Sequence, residues 1–588
     1  MKRYIVFLLL TAVLSVSVVH AQPRSNDCWD GTVAEAYAGG DGTAANPYQI
    51  ATPQQLALLA QQTNNGTGGD AYYILTNNIC LNDSEQHEWI PIGTEASRFT
   101  GVFDGSKFIV SGLFMSYSDG VAGLFGCADH AILRDIRVFD ANIHITSLSC
   151  EIGLVVGKAI NTYIDNCSVS GSAFGTPSSA VRLGGIVGDF IVNIGGNDTI
   201  SITHCVNNAT LSQASDVGGM AGYVSYENGI AMIEGCENNG FMDCYFCAGG
   251  MVGEGSVVIR NCHNYGGVVA ETCAGGMIGQ GKGIVIIKNC VNHESGEITG
   301  KVAGGFIGAT LYTTISTCAN YAPITGMSDN YVFVGGISGS GCAISNCYNR
   351  GRVTGVLSNP DPVVLSQIGG ITGATANDAM FHNVYNTGEI VRIEGSNVHA
   401  LYGVIAAATQ SIDIFRNCYW FGEYEFRPCG YVIDMGGGAD ELPESCAFSE
   451  GTSPTSWILD EAQYGTTDLL EALNLGAFDE CTWIEDLDLS NDGLPIFGNQ
   501  GIQGFSEPSD SEGISVFPNP ASNIIYVELP NETGPTEIEL VNVSGQVVAR
   551  KTFSGKDSWI ELGDLPKGMY LLIIRNAEEC HTRKVVLN

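Results

Sequence analysis

The hydrophobic and polar positions of this chain repeat about every 30 residues over roughly half of its length. Short segments framed by glycine alternate with apolar strands that end in Cys. The frames are GLVVG at 153–157, GGIVG at 184–188, GGMAG at 218–222, GGMVG at 249–253, GGMIG at 275–279, GGFIG at 304–308, GGISG at 335–339 and GGITG at 369–373. This period is typical of solenoids and propellers.

A second marker recurs in phase with the frames. It consists of Cys167, Cys205, Cys236, Cys262, Cys290, Cys318, Cys347 and Cys418, with Val384 standing in once. Three residues earlier come Ile164, Ile202, Ile233, Ile259, Ile287, Ile315, Ile344, Phe381 and Phe415. Two residues later, in seven units, come Asn207, Asn238, Asn264, Asn292, Asn320, Asn349 and Asn386. Equivalent residues are therefore expected at equivalent sites of each unit.

The pattern predicts an all-β fold, a parallel right-handed β-helix (solenoid) whose coils pair with the coils before and after them. Equivalent side chains would form columns with a spacing of about 4.8 Å. The aliphatic residues and Cys would point inward, and glycines would supply corners with φ > 0. The Asn column would lie at a turn, where its amide tolerates the left-handed region and bonds to its copies. A propeller is the competing architecture, but its blades need about 40 residues.

The frames, with GLFG at 123–126, resemble GLUG-type repeats. That family occurs in bacterial surface proteins and beside the catalytic domain of some immunoglobulin A peptidases. The resemblance implies a surface protein, and it does not carry proteolysis to this sequence, in which no peptidase domain is recognised.

The N-terminal segment, residues 1–21, has the pattern of a secretory signal peptide. Lys2 and Arg3 precede an apolar run at 4–19, and cleavage is expected between Ala21 and Gln22. The run is too short to favour a membrane anchor, so no membrane span is expected.

Residues 22–122 are expected to form an N-terminal cap and the first coils. Thr52 and Pro53 fit the N-cap and first turn of a short helix with Leu56, Leu59 and Ala60 on its apolar face. Such a helix would cover the unpaired edge of the first coil. The repeats are assigned to 123–429, a closing cap to 430–503 and a polar linker to 504–513.

Residues 514–588 alternate like half-buried strands and predict a small immunoglobulin-like β-sandwich of about seven strands. VFPNP at 516–520, NVSGQ at 542–546, LPKGMYLL at 565–572 and KVVL at 584–587 resemble the type A C-terminal sorting domain of the type IX secretion system. The motif residues are Phe517, Pro518, Asn519, Pro520, Gly545, Gly568, Tyr570 and Lys584. The resemblance implies the type IX machinery as partner and passage from the periplasm to the outer-membrane surface or the medium. An immunoglobulin-like module without a sorting role is the alternative.

The formal charge of −37 argues against nucleic acid or anionic lipid as a partner, since both require clustered Lys and Arg. Acidic residues keep an exported rod soluble. Calcium binding is an alternative use of the carboxylates, although no DxDxDG loop supports it.

The 20 cysteines raise the question of disulfides and metals. The repeated Cys are expected as a column of buried thiols, with oxidation between neighbouring coils as the alternative. A row of thiolates suits zinc poorly, because zinc needs a tetrahedron. The CxxC of Cys244 and Cys247 is expected to be a local disulfide or two core thiols, and Cys342 with Cys347 is interpreted in the same way.

Two partial motifs do not support a cofactor. GMIGQGKG at 276–283 has Gly283 where a phosphate-binding loop needs Ser or Thr. HESGE at 293–297 lacks the second His of a zinc-protease helix. No cofactor, metal or catalytic residue is predicted.

The sequence favours an exported surface protein that acts as an adhesin or binds a glycan or protein, rather than an enzyme. Asp165, Glu234, Arg260, Lys288 and Arg416 lie two residues before the column position and are expected to point outward. A polysaccharide lyase or hydrolase would use such side chains, but their identity changes from coil to coil. A purely structural surface component is the third hypothesis.

Overall fold

The structure, a computed structural model, describes residues 28–433 apart from 82–85, 117–119, 177–179, 195–198, 311, 359–365, 376–378, 392, 394–399, 404, 411–413 and 422–428. Beyond 433 it describes short strands at 458–459, 483–484 and 496–497 and most of 515–587. The chain divides into two compact units, Met1–Thr482 and Trp483–Asn588. The predicted signal peptide, most of the closing cap and the linker lie outside the described residues.

The first unit is a parallel β-solenoid of about 10 turns. Each strand pairs in parallel with its counterpart one coil away, so that Ile202 lies between Ile164 and Ile233. This stacking confirms the predicted parallel solenoid and excludes a propeller, whose blades would surround a central axis. The two sheets have 37 and 11 strands.

Three columns of strands make up the larger sheet. The first, which carries the Ile-x-x-Cys segments, contains Tyr48–Ile50, Tyr72–Leu75, Val102–Asp104, Ile132–Arg134, Tyr163–Asp165, Thr199–Thr203, Ile230–Glu234, Val258–Arg260, Val285–Lys288, Thr313–Asn320, Ala343–Asn349, Met380–Asn386 and Ile414–Phe421. Ile458–Leu459 pairs with the end of Ile414–Phe421, beyond the Cys position. The second contains Ile79–Cys80, Ile109–Ser111, Phe114–Met115, Arg137–His144, Ser168–Phe174, Val206–Gly218, Glu237–Asn238, Met242–Gly249, His263–Asn264, Val268–Ala270, Val291–Asn292, Ile298–Gly300, Ile324–Ser328, Val353–Leu357 and Ile390–Val391. The third enters the glycine frames and contains Val121–Ala122, Ser149–Gly153, Ala180–Gly184, Cys273–Gly275, Val302–Gly304, Phe333–Gly335, Ser366–Gly369 and Ala400–Gly403.

The smaller sheet begins inside each frame. Its strands are Phe125–Asp129, Val156–Ile160, Val187–Asn193, Ala221–Asn228, Val252–Gly255, Ile278–Gly281, Ile307–Ala309, Ser338–Ser340, Thr372–Ala374, Ala406–Gln410 and Cys429–Ile433. Each frame therefore turns the chain from the larger sheet onto the smaller one.

The left-handed corner lies one residue before the Cys, not at the ladder Asn. Positive φ occurs at Asn166, His204, Gly235, Asn261, Asn289, Thr317, Asn346 and Asn383. The ladder Asn do not adopt it, so the expectation of a left-handed Asn was wrong. They do bond to their copies as predicted: the amide of Asn207 donates to Asn238, and Asn238 donates to Asn264, each at 2.8 Å.

The sequence suggested that the frame glycines supply corners with positive φ. This expectation was wrong, because none of the frame glycines from 153 to 373 has a positive φ. They permit close approach instead. A Cβ at Gly184 would lie 1.8 Å from the Val187 carbonyl oxygen across the turn. A Cβ on the next residue, Gly185, would lie 2.3 Å from the Gly219 carbonyl oxygen and 2.5 Å from Asn207 Oδ1. The second frame glycine thus makes room for the ladder Asn of its own coil.

This contact explains why the two sequence markers run in phase. Where the second frame residue is Leu154 rather than Gly, the ladder position holds Val169. Leu124 and Val138 show the same exchange one coil earlier. An apolar pair replaces the Gly–Asn pair as a unit.

The eight repeated Cys are buried thiols that form no disulfide. Cys318 lies opposite Cys347, and Val384 continues the column to Cys418. Within a coil the thiol caps the carbonyl two residues earlier, as in the 3.1 Å hydrogen bond from Cys262 to Arg260. Because that carbonyl precedes the left-handed corner, the small donor of Cys suits the position better than an aliphatic group.

The N-terminal end carries the predicted helix, Pro53–Asn64. Thr52 is its N-cap, and its side chain accepts from the Gln55 backbone N–H. Leu56, Leu59 and Ala60 are buried. A disulfide that sequence spacing did not reveal joins Cys28 to Cys80, whose Cα atoms are 4.5 Å apart. Within the described part of the chain, no helix has the length and apolar character that a membrane crossing requires.

The second unit contains an antiparallel pair, Trp483–Ile484 with Ile496–Phe497, and a five-stranded antiparallel sheet. The sheet strands are Ser515–Phe517, Ile524–Asn542, Val547–Glu561, Gly568–Arg575 and Cys580–Leu587. Their buried residues include Ile538, Leu540, Leu572 and Ile574. The second layer of the predicted sandwich stays a prediction.

Candidate functional site

Unequal connections between coils form a groove on the outside of the solenoid. A single residue, Lys301, joins Gly300 to Val302, whereas residues 327–332 separate the equivalent Gly326 and Phe333 of the next coil. The two connections are in contact, since Lys301 Nζ lies 3.9 Å from the centre of the Tyr331 ring. The resulting groove has a volume of about 880 Å³.

Exposed apolar side chains line this groove. Tyr245 is 44% exposed, Met327 52% and Val356 42%. Val269, Ala270 and Thr299 lie between them on the strands of the intervening coils. Apolar groups that converge on a concave surface are typical of a ligand site.

The charged groups of the groove are acidic. Asp243, Glu271 and Asp329 line it. Partial burial raises the pKa of Asp243, and the neighbouring Glu271 carboxylate raises it further. Asp329 accepts a hydrogen bond from Ser358 on the same wall. The groove can therefore accept hydrogen bonds from hydroxyl, amide or cationic groups and would repel an anionic ligand.

The outward residues predicted from the repeats form a single column in the structure. Glu234 pairs in register with Arg260 and Arg260 with Lys288, while Asp165 lies opposite Thr203. Arg416 continues the column through its register with His382. Asp165 accepts from Thr203 at 2.6 Å, and Glu234 accepts from Asn261 at 3.1 Å. These hydrogen bonds give the two carboxylates a structural role.

A row of side chains beside the glycine frames, ionisable except for Gln280, was missed by the sequence analysis; it is called the ionisable row below. One side of the row is the residue two before each frame: Glu151, Arg182, Asp216, Cys247 and Cys273. The other side is the residue after each frame: Lys158, Asp189, Tyr223, Glu254 and Gln280. Because each frame is a tight turn, the two residues of a coil face each other. Their fixed offsets from the glycines are the signal that could have revealed them.

Ion pairs neutralise the first part of this row. Arg182 donates to Asp189 at 2.6 Å and lies 4.0 Å from the centre of the Tyr223 ring. Lys158 pairs with Glu95 at 2.6 Å. Further along, Asp216 is 6% exposed. Burial and the nearby Glu254 carboxylate raise the pKa of Asp216 to about 7.

The two cysteines of the CxxC are free thiols in different surroundings. Cys244 packs in the apolar core of the solenoid. Cys247 is fully buried in the ionisable row beside Glu254 and Gln280. Cys342 and Cys347 are likewise free and buried.

The described part of the C-terminal unit includes some of the predicted motif residues. Phe517 pairs with Tyr526, Gly568 begins a strand opposite Leu587, and Lys584 lies opposite Leu571. Tyr570 is buried in the core of the sheet. Ala21, Gln22, Pro518, Asn519, Pro520 and Gly545 lie outside the described residues.

Comparison with known families adds the decisive observation for this unit. Residues 515–588 match the family described as secretion system C-terminal sorting domain. These residues are a type IX secretion sorting domain. The sorting domain implies interaction with the type IX machinery and export across the outer membrane to the cell surface or the medium.

Similarity to curated proteins covers only part of the chain. A protein named "Putative Gly-rich membrane protein" from Evansella cellulosilytica is 30% identical over 172 residues, which are 28% of this chain and 19% of that protein. "Halomucin" from Haloquadratum walsbyi is 29% identical over 194 residues, 31% of this chain and 2% of that protein. The chain thus spans a small fraction of the length of either relative.

Among solved structures, a putative immunoglobulin A1 protease from Bacteroides ovatus aligns with 79% of this chain and 95% of its own. The sequence identity is 15% and the TM-score 0.29, too low to support an inference about fold or activity.

Proposed function

We propose that the protein is an exported binding protein, an adhesin whose solenoid holds an uncharged glycan or an extended protein segment in the groove between Tyr245 and Met327. The groove carries this proposal, since it combines exposed apolar side chains with carboxylates on a parallel sheet. The sorting domain supports it by implying delivery beyond the outer membrane.

The chemistry of the groove favours a neutral glycan. Sugar rings present C–H faces that pack on apolar side chains, and hydroxyl groups that donate to carboxylates such as Asp243 and Glu271. An acidic polysaccharide would meet these carboxylates and a chain of formal charge −37. We therefore expect neutral glycans to bind better than uronate polymers.

The test measures binding of the purified protein to mannan, glucan and polygalacturonate. Tyr245→Ala should weaken saturable binding to a neutral polymer about tenfold, as expected for loss of one stacked ring. Tyr312→Ala is the matched control, because Tyr312 is 66% exposed but does not line the groove. Equal effects of the two substitutions, or preferential binding to polygalacturonate, would contradict the proposal.

A second candidate function is polysaccharide hydrolysis. Its support is the presence of two carboxylates, Asp243 and Glu271, in one groove, with the pKa of Asp243 raised. Paired carboxylates of unlike pKa are the groups that glycosidases use. New reducing ends that disappear in Asp243→Asn and Glu271→Gln would establish hydrolysis, whereas binding without turnover would support the adhesin.

The narrower family assignments belong to the proposal as well. We propose that the frames are GLUG-type repeats and that the sorting domain is of type A, each from the motifs quoted above. A purely structural surface component stays the alternative if no glycan or protein ligand binds.

A further inference from the structure

Three side chains that neither the proposed groove nor the sorting domain uses converge within the ionisable row. One ligand atom each of Asp216, Cys247 and Glu254 lies within 4.8 Å of the others. The three residues are 6%, 0% and 9% exposed. A carboxylate, a thiol and a second carboxylate are thus gathered in a place that water hardly reaches.

The fold arranges these groups as a triangle and not as a row. Asp216 and Cys247 are register partners on neighbouring coils of the larger sheet. Glu254 follows the frame at 249–253 and returns on the smaller sheet, opposite Cys247. The tight glycine turn therefore supplies the ligand off the column axis that the repeated Cys column lacks.

The hydrogen bonding of this cluster is incomplete. Asp216 Oδ1 is buried and makes no hydrogen bond, while its other oxygen accepts from Ser215 at 3.2 Å. Cys247 Sγ lies 3.6 Å from Gln280 Oε1 and 3.9 Å from Glu254 Oε2, and it also interacts with the Cys273 side chain. A buried carboxylate oxygen without a donor is costly, and a cation would satisfy it.

We propose that Asp216, Cys247 and Glu254 bind a divalent transition-metal ion of the zinc type. A thiolate with carboxylates suits such an ion, whereas calcium and magnesium take oxygen ligands. Ligand atoms about 2.0–2.3 Å from zinc require only small shifts of these side chains. Binding releases the Cys247 proton to solvent. Cys273, the register partner of Cys247 in the next coil, is the candidate fourth ligand.

Lys282 is the group that competes with a metal. Its Nζ lies 3.6 Å from Glu254 Oε2, and its side chain is 48% exposed. Because a half-exposed ion pair is weak, it only partly compensates the buried carboxylate. Removing Lys282 should therefore strengthen metal binding without disturbing the fold.

The test uses Co²⁺ as a spectroscopic probe with the full-length protein under reducing conditions. The wild type should show a saturable thiolate-to-cobalt charge-transfer band, competed by Zn²⁺, with one equivalent per chain assigned to this site. Cys247→Ser should abolish that equivalent, and Asp216→Asn should weaken it at least about 100-fold. Cys342→Ala, a change at another buried thiol, should leave the band unchanged. Lys282→Gln should tighten Co²⁺ binding about threefold.

Three results would overturn the proposal. They are a wild type without a saturable band, a band that survives Cys247→Ser, and a Cys247–Cys273 disulfide found by mass spectrometry in the exported protein. If Asp216→Asn fails to fold, Lys282→Gln provides the test, because this substitution of a half-exposed side chain should not disturb the fold. A Co²⁺ affinity that is weakened or unchanged in Lys282→Gln would also contradict a metal beside Glu254.

Discussion

At the scale of single residues, the Asn column shows how the hydrogen-bonding groups of a buried polar side chain are satisfied inside a solenoid. Each amide from Asn207 to Asn349 donates to the next Asn at 2.7–2.8 Å. Most also donate to the backbone carbonyl two residues later, as Asn264 does to Gly266 at 3.0 Å. The column therefore fixes the register between coils.

The first prediction concerns two adjacent asparagines. Asn238→Ala should lower the free energy of unfolding by about 2–4 kcal/mol, because it strands the Asn207 donor and the Asn264 acceptor in a buried place. Asn239→Ala is the matched control, since Asn239 is exposed, and should change it by less than about 0.5 kcal/mol. Urea unfolding of both variants makes the measurement. Equal losses of unfolding free energy in the two variants would contradict a stabilising role for the Asn column.

The second prediction concerns pH. Burial, and then the neighbouring His263, lower the pKa of His293 from 6.5 to about 4. The unfolded chain therefore binds a proton that the folded chain does not. The contribution of His293 to the free energy of unfolding is at its maximum above pH 6.5 and falls by up to about 2 kcal/mol by pH 5. The difference in urea midpoint between the wild type and His293→Gln should therefore change between pH 7 and pH 5, whereas the difference between the wild type and the exposed His144→Gln should not. A difference between the wild type and His293→Gln that stays constant from pH 7 to 5 would contradict this assignment.

At the scale of elements, each glycine frame is a turn whose tightness serves several purposes. It passes the chain between sheets, admits the ladder Asn and brings two side chains of the ionisable row together. The period and the type of the strands could be predicted from the sequence, because inward apolar positions repeat in phase. The ionisable row could not be predicted in the same way, because its residues change from Arg to Asp to Cys along the column and only their offsets from glycine are constant.

The third prediction tests that tightness. A Cβ at Gly250 would lie 2.2 Å from the Gly276 carbonyl oxygen and 2.5 Å from Asn264 Oδ1, neither of which can withdraw. Gly250→Ala should therefore cost at least about 3 kcal/mol. Gly267→Ala, whose Cβ would meet only the movable ring of Phe241 at 3.0 Å, should cost less than about 1 kcal/mol. Thermal unfolding compares the two, and a tolerated Gly250→Ala would exclude the close packing described.

Some element-level features were beyond the sequence for a physical reason. The groove arises from a difference in length between neighbouring connections, and such a difference is visible in the sequence only after the register of every strand is known. The Cys28–Cys80 disulfide joins residues 52 positions apart, and no pattern in the repeat specifies that contact.

At the scale of the whole molecule, the two units have separate tasks. The solenoid supplies a surface of parallel strands, and the sorting domain implies export. The formal charge of −37 disfavours contact with anionic polymers.

The fourth prediction separates these tasks. Deletion of residues 514–588 should leave a folded solenoid in the periplasm, because recognition by the type IX machinery depends on the sorting domain. Protease accessibility on intact cells, with the full-length protein as control, measures surface display. Normal display of the truncated protein would refute the dependence.

The pairing of a second frame glycine with the ladder Asn of the same coil has one more consequence. Both halves of this match lie within a single unit of about 30 residues, so a duplication or loss of one whole unit never separates them. The stack can thus be lengthened or shortened in whole-coil increments, each of about 4.8 Å, whereas an exchange that joined the Leu154 half of one unit to the Asn half of another would leave a misfit at the seam.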